Sequence, residues 1–399
     1  MMVIRYEIPD RWVKYDGLAL VSELTEAKAA VMSLTTIPYQ RSWAEALQEM
    51  ELRREVAGTS RIEGADFTER ELDEALRDDT PAERLSRSQR QARSAKTAYR
   101  WIARLDDDRP IDGELIREVH RLIVTGCDDD HCPLGRLRGP DQNVTFGQPR
   151  HRGAMGGEEC RAAFAGLCDA LQGEFREHDS LIQALALHYH LAAMHPFLDG
   201  NGRTARALEA LVLQRTGLKD DLFVAMSNYY YDEKTQYLSN LTQVRENNYD
   251  LTEFLKFGLK CIALQCKRLF GEIRRELTKS LYRDVMGKMY GRLLSTRKRA
   301  LARRQLAILE ILLEYENTIH LYDLFIRVHR EYNSLKTPQK AYFRDLNYLD
   351  NLQAINVSSE NKRYYFSIRL EWATEITETD FFGKINQLPE AKTKFLLRP

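Results

Sequence analysis

His195-Pro196-Phe197-Leu198-Asp199-Gly200-Asn201-Gly202-Arg203-Thr204-Ala205-Arg206 puts an imidazole, a carboxylate, two glycines, an amide and two arginines into one short run. The stretch before it, Leu181–Met194, is apolar nearly all round, which predicts a buried central helix. The stretch after it, Thr204–Thr216, is helical in pattern again. A polar, glycine-bearing turn between two core helices decides the fold class: mainly α, with the chemistry held between helices. His195 precedes a proline and so leaves the helical region. An ordinary imidazole titrates near pH 6.5, which makes His195 a candidate general base. Gly200 and Gly202 permit left-handed backbone and close ligand approach. They lead into a helix N-terminus, whose free N–H groups and dipole favour an anion. Arg203 and Arg206 are three apart and share a face of the first turn; forked guanidinium donors suit phosphate. Asp199 beside such a cradle suits Mg²⁺, which takes one or two carboxylates plus phosphate oxygens. The residues alone also allow a helix N-terminus whose arginines make only ion pairs. The Walker A ending, Gly-Lys-Ser/Thr, is absent.

Working outward, residues 41–57 repeat apolar side chains at Trp43, Leu47, Met50 and Val56, and residues 81–105 and 111–124 also read as helices. Between 126 and 157 glycines break the pattern, predicting a long loop with a short hairpin near Asn143–Phe146. Helices resume at 158–177, and two more are expected over 235–270 and 271–295. The window 267–304 is locally basic. The last hundred residues run helix, helix, helix, hairpin, with the hairpin tip at Ser359–Asn361. That is the order of a small α+β winged helix. The expected division is 1–105 for an N-terminal helical region, 106–220 for the core, 221–295 for a helical extension and 296–399 for the winged-helix-like part.

The chain has 399 residues, 43% hydrophobic and 30% charged, a composition of soluble globular proteins with room for two or three domains. The formal net charge is +0, so no global field draws it to nucleic acid or membranes, and any such site is a local patch. Six dispersed cysteines suit a reducing compartment. The start has no apolar secretory core, and no run is long enough to span a bilayer. A cytoplasmic protein with no membrane partner is expected. Cys127, His131 and Cys132 have poor spacing for a zinc site. His188, His190, Cys261 and Cys266 read as packed core residues.

The quoted stretch resembles the signature of the Fic family, His-x-Phe-x-Asp/Glu-Gly-Asn-Gly-Arg-x-x-Arg, at every fixed position, and the resemblance extends over about residues 10–260. It implies a Fic-type helical bundle with a short β-hairpin flap, and transfer of AMP from ATP to a Ser, Thr or Tyr hydroxyl of a target protein or of the chain itself. By the same resemblance His195 takes the target proton and Asp199 holds Mg²⁺. Gly200, Asn201 and Gly202 form the anion hole, Arg203 holds the β-phosphate and Arg206 the γ-phosphate. Phe197 anchors the loop, and Gly135–Arg138 opens the flap, whose extended segment would pair with the target. Thr59-Ser60-Arg61-Ile62-Glu63-Gly64 fits the family's inhibitory helix, with Thr59, Glu63 and Gly64 at its marked positions. Glu63 would then compete with the γ-phosphate for Arg206. Tyr230, Tyr231 and Tyr237 stand where relatives wall the adenine; the usual Asn-Arg pair before the last tyrosine is absent here. The resemblance leaves room for removal of AMP by a water that Glu63 positions. The winged helix leaves room for a DNA-binding regulator with a nucleotide-sensing site, through Gln339–Asn351, Lys336, Lys340, Arg344 and the Lys362-Arg363 wing. A homo-oligomer is compatible with all of this.

Overall fold

The computed structural model describes residues 4–38, 40–147, 150–217, 223–293, 296–315 and 317–386. The chain is mainly helical and divides into two compact units, Met1–Gly271 and Glu272–Pro399. The sequence boundary at 295 falls on residues outside the described set.

The first unit carries α1 (Val21–Thr36), α2 (Arg41–Ile62), α3 (Glu69–Leu76), α4 (Arg87–Ile102) and α5 (Gly113–Val124). After the flap come α6 (Glu158–Gln172), α7 (Ser180–Met194), α8 (Asn201–Gln214), α9 (Met226–Asp232) and α10 (Lys234–Glu246). The two helices expected over 235–270 and 271–295 break elsewhere: α10 ends at Glu246, and a forty-residue helix, α11 (Thr252–Gly291), runs through the expected break at 270, with the unit division falling within it. No proline and no helix-stopping cap interrupts that run, so one helix continues through it.

Local signals fix the helix starts. Thr68 and Glu71 form a reciprocal capping box before α3, as do Ser86 and Gln89 before α4. Asp112 and Asp179 cap α5 and α7. Helix α7 is buried from Leu181 to Met194 apart from Gln183, as its all-round apolar sequence predicts, and it packs on α8. Helix α2 extends five residues past the expected end at 57, to Ile62, and lies along α9.

The flap hairpin is β2 (Thr145–Phe146) against β3 (His151–Arg152). An element the sequence reading lacks, β1 (Ile4–Arg5), pairs parallel with β3, giving the order β1-β3-β2. A two-residue strand has no period to detect; Tyr6, buried just beyond it, extends the pairing by donating its backbone N–H to the Arg152 carbonyl at 3.0 Å.

The second unit contains α12 (Thr296–Glu314), β4 (Ile319–His320), α13 (Leu321–Val328), α14 (Pro338–Asn351), β5 (Ile355–Glu360), β6 (Arg363–Ile368), α15 (Trp372–Glu375) and α16 (Glu378–Asn386). Its sheet runs β4-β6-β5, all antiparallel. The hairpin turns at Asn361 and Lys362, both at positive φ, so the tip lies slightly beyond the expected Ser359–Asn361. Its core gathers Ile308, Leu312, Leu324, Leu346, Leu349 and Phe366. Among the described residues no helix is long and apolar enough to cross a membrane.

Candidate active site

Helix α7 ends at His195, which sits in the left-handed region at φ 52°. That conformation is uncommon for a residue with a side chain and points to a constrained role. It is held from outside: Arg138, buried, donates from Nε to the His195 carbonyl at 2.7 Å, and its guanidinium also reaches Gln142 and Ala154 of the flap. The flap and the loop after α7 are thereby one hydrogen-bonded body. His195 Nδ1 lies 2.6 Å from the Ala192 carbonyl. A carbonyl only accepts, so the proton of the neutral ring resides on Nδ1 and Nε2 keeps its lone pair. Burial pushes the His195 pKa down to about 4, so the ring is neutral at neutral pH and able to accept a proton. Phe146 of the flap stacks on the same ring, centroids 3.8 Å apart at 12°.

The loop to α8 closes on itself. Asn201 spends its side-chain amide on the Phe197 backbone, Oδ1 accepting at 2.9 Å and Nδ2 donating at 2.9 Å. Its side chain is therefore a clasp, and only its backbone is left for an anion. Phe197 is fully buried and stacks on His120 at 3.7 Å. His120 in turn accepts from Gly135 N–H and donates from Nε2 to the Asp199 carbonyl at 3.0 Å. Gly200 has φ 73°, and a Cβ there would meet Val124 at 2.7 Å, so the turn requires glycine twice over.

Helix α8 then brings in the two arginines, both buried. Arg203 donates to Asp128 at 2.6 Å and lies 3.4 Å from Asp199. Burial favours protonation of Asp128, but Arg203 and Arg87 outweigh it and hold the carboxyl at about 2. Asp199 also meets Nε2 of His131 at 3.0 Å, and His131 Nδ1 meets Asp130 at 2.6 Å. Hydrogen bonds to Asp199 and then Asp130 raise the His131 pKa. Asp128, His131 and Asp199 present ligand atoms within 4.8 Å of one another. Asp128 is taken up by Arg87, Gln91 and Arg203, and both ring nitrogens of His131 by Asp130 and Asp199, so the carboxylate left to a divalent ion is Asp199. One carboxylate next to a phosphate cradle fits Mg²⁺, with the remaining ligands from phosphate and water.

Arg206 faces the other way. Its Nε donates to the Thr59 hydroxyl at 2.8 Å, and its terminal nitrogen to the Thr59 carbonyl at 3.1 Å and to Glu63 at 2.7 Å. Burial alone would raise the Glu63 pKa; Arg206, with Arg203 and His195 behind it, more than offsets this and keeps the carboxylate ionised. A Cβ on Gly202 would meet Glu63 Oε1 at 2.2 Å, so the carboxylate lies directly over the first turn of α8. Lys234 donates to the Ile62 carbonyl at 2.8 Å, tying off the C-terminal end of α2. Gly64, at φ 90°, turns the chain away.

A cavity of about 290 Å³ opens beside these groups. Its walls include Glu63, Phe146, His195, Gly202, Arg206 and Tyr237. Of the tyrosines expected at a nucleobase wall, Tyr237 lines the cavity and Tyr230 stacks behind it at 4.7 Å. Tyr231 is 40% exposed, turned toward Arg61 and absent from the lining. Adjacent positions on a helix point about 100° apart, so Tyr230 and Tyr231 cannot share one wall. The sequence reading gave Asp128 no role and set His131 aside as part of a poor zinc spacing; it placed Phe146 on the flap without its stacking on His195 and passed over Arg245, yet Asp128 meets Arg203, His131 meets Asp199, and Phe146 and Arg245 line the cavity. The acidic run Asp128–Asp130 directly after α5 was the one signal for the first two.

Residues 110–213 match the Fic/DOC family. Among curated proteins the chain is 30% identical over 160 residues to protein adenylyltransferase fic-1 of Caenorhabditis briggsae, covering 40% of this chain and 29% of that protein. It is 35% identical over 74 residues to protein adenylyltransferase Fic of Nematostella vectensis, 18% of this chain and 16% of that one. A uridine 5'-monophosphate transferase of Xanthomonas campestris pv. campestris is 30% identical over 132 residues, 28% of this chain and 23% of that one. The matches thus span less than a third of these relatives. Among solved structures, a Fic family protein from Desulfovibrio desulfuricans G20 superposes with TM-score 0.55 at 18% identity, over 91% of this chain and 98% of that one. Fic-1 of C. elegans gives 0.54 at 20%, over 64% and 73%. At these identities the structures share the fold.

Proposed function

This chain carries a Fic-family domain at residues 110–213, and we propose that it transfers AMP from ATP to a Ser, Thr or Tyr hydroxyl of a target protein or of itself. The observation that carries this reading is the His195 ring: neutral, with Nδ1 committed to Ala192 and Nε2 bare, beside the α8 N-terminus and Arg206. Such a ring can take a hydroxyl proton as the oxygen attacks the α-phosphorus, with pyrophosphate leaving. The backbone of Gly200–Gly202 and the α8 dipole would stabilise the α-phosphate charge, and Arg203 and Arg206 the β- and γ-phosphates. Mg²⁺ held at Asp199 would screen the charge of the phosphates. Phe146, lying on His195, would position the incoming target segment along the free edge of β2.

In the same reading the chain is self-inhibited. Glu63 occupies Arg206 and the space over Gly202, where phosphate oxygens would have to sit. What supports this is the Glu63 contact with the buried Arg206 guanidinium, a nitrogen that a phosphate oxygen would need. Removal of AMP by a Glu63-held water is the second outcome of the same experiment. The test compares label transferred from α-labelled and γ-labelled ATP by wild type, Glu63→Gly and Glu63→Gly/His195→Ala. Label from α-labelled ATP alone, strongest in Glu63→Gly and lost without His195, is expected. Label from γ-labelled ATP would mean phosphotransfer and overturn the reading. Equal transfer by wild type and Glu63→Gly would remove the inhibitory role. An α-labelled adduct that wild type strips and Glu63→Gly does not would identify an AMP-removing enzyme.

A further inference from the structure

Helix α2 carries a polar side chain at every fourth residue over its second half: Glu51, Glu55, Thr59 and, at its C-cap, Glu63. That spacing sets them along one ridge of the helix. Glu51, Glu55 and Thr59 are buried. The stripe meets four other elements. Thr59 and Glu63 take Arg206 of α8. Glu55 takes the Tyr99 hydroxyl of α4 and the Ser227 N–H of α9. Glu51 takes the Arg268 guanidinium of α11 on one oxygen, in a very short contact, and the Ala225 N–H on the other at 3.3 Å. Glu51 lies three turns from Glu63, about 18 Å along the axis. Among the described residues that line the cavity, neither Glu51 nor Arg268 appears.

The Glu51 side chain has no exposed surface, so its charge needs a cation in place. Arg54 also approaches Glu51, at 4.0 Å, but it sits on α2 and travels with it. Arg268 is the cation that ties the helix to the body of the first unit. We propose that Arg268 is a latch for the inhibitory helix: by pairing with Glu51 it holds the polar stripe in register, and so sets how readily Glu63 leaves Arg206. This rests on the inhibitory reading of Glu63. A buried ion pair has its own way of failing. Removing one partner strands the other charge and is strongly unfavourable, whereas removing both charges together costs little. Arg268→Met leaves Glu51 buried without its cation, and α2 relieves this by lifting. Glu51→Gln added to it removes the stranded charge, keeps an acceptor for the Ala225 N–H, and lets α2 dock again.

Label transfer from α-labelled ATP is measured on the full chain for Arg268→Met and for Glu51→Gln/Arg268→Met, each with Glu63 present and in Glu63→Gly. With Glu63 present, Arg268→Met is expected to raise transfer about tenfold, and not above Glu63→Gly, because release cannot exceed removal. Adding Glu51→Gln is expected to bring transfer back toward wild type. In Glu63→Gly neither change is expected to matter. A rise that persists in Glu63→Gly would mean an effect on the site itself and overturn the latch, as would a double variant no more inhibited than the single. If Glu63→Gly itself leaves transfer unchanged, the inhibitory reading falls and the latch with it. If Glu63→Gly raises transfer and Arg268→Met does not, the latch alone fails. Should Arg268→Met not fold, Arg268→Lys takes its place: it keeps the charge but loses the forked donors, and a smaller rise, again confined to chains with Glu63, is expected. Hydrogen–deuterium exchange supplies a readout free of catalysis. Faster exchange is expected over α2 in Arg268→Met, reversed in the double variant, with α7 unchanged. Exchange that rises equally in α2 and α7 would mean general loosening and overturn the latch.

Discussion

At the scale of the residue, His195 shows how far a fold moves a side chain from its ordinary chemistry. Its composition-level expectation is a base titrating near 6.5. In place, burial pushes it to about 4, the Ala192 carbonyl fixes its tautomer, and Phe146 covers one face. A base must be unprotonated, so the acid limb of the transfer rate in Glu63→Gly should lie at or below about pH 4, well below the pH 6.5 midpoint of a free imidazole. Removing Glu63 takes away an anion that favours the charged ring, which shifts the limb further down. A single-turnover pH profile falling with a midpoint at 6.5 would show that the depression is absent in solution. The twelve-residue signature made His195, Asp199, Arg203 and Arg206 legible because charge, glycine and amide in one run serve no ordinary packing purpose. The partners that set their chemistry were not legible. Asp128 is 75 residues from Arg203, and Arg138 is 57 from His195. Such pairings are decided by tertiary closure, which leaves no mark on local pattern.

At the scale of the element, α2 is the moving part of the proposed inhibition, and its docking is unusually close. A Cβ on Gly58 would lie 2.4 Å from the backbone of Ser227 and Asn228 at the start of α9. Backbone cannot step aside as a side-chain tip can, so Gly58→Ala must lift α2. A loss of about 1–3 kcal/mol in stability is expected. Because Glu63 is one turn further along, transfer from α-labelled ATP should rise at the same time. Thermal melts and label transfer on one preparation check both; lower stability without higher transfer would detach α2 docking from inhibition. One turn earlier, buried Glu55 accepts from Ser227 N–H at 2.8 Å and from Tyr99 at 2.7 Å. Burial raises its pKa from 4.5 to about 7. The folded state therefore holds that proton where the unfolded chain has lost it. Its contribution to stability is full below pH 4.5 and declines as pH rises through 7. Glu55→Gln should accordingly gain on wild type in Tm as pH goes from 5 to 8. A Tm difference constant across that range would place the Glu55 pKa near its ordinary value. Helix α2 was legible as a helix from Trp43, Leu47, Met50 and Val56, but its function was legible only through the resemblance, since one acid before a glycine resembles any helix end.

At the scale of the whole molecule, the charge balance bears on what the second unit can do. With a net charge of +0, nucleic-acid binding needs a local basic face. The helix order there led to α14 as a candidate recognition helix. Its residues Ala341, Tyr342, Leu346 and Leu349 belong to the core, and Asp345 is buried on Arg304 at 2.7 Å and Tyr332 at 3.0 Å. Asn347 and Tyr348 are buried as well, so only Gln339, Lys340 and Asn351 stand exposed on this helix. A reading helix needs several side chains free to reach base edges, and α14 offers few. What remains is phosphate contact through Lys336, Lys340, Lys362 and Arg363, all exposed, with Glu360 beside them. With half-buried Arg344 left out, four phosphate contacts give a slope of about −3.6 in log K against log salt. Binding should then fall about a hundredfold between 50 and 200 mM salt and show no sequence preference. Fluorescence anisotropy with unrelated duplexes across that range measures both quantities. Preference for one duplex that survives at the higher salt would require base contacts from a surface other than α14, and would bring back the regulator in which the nucleotide site reports to DNA.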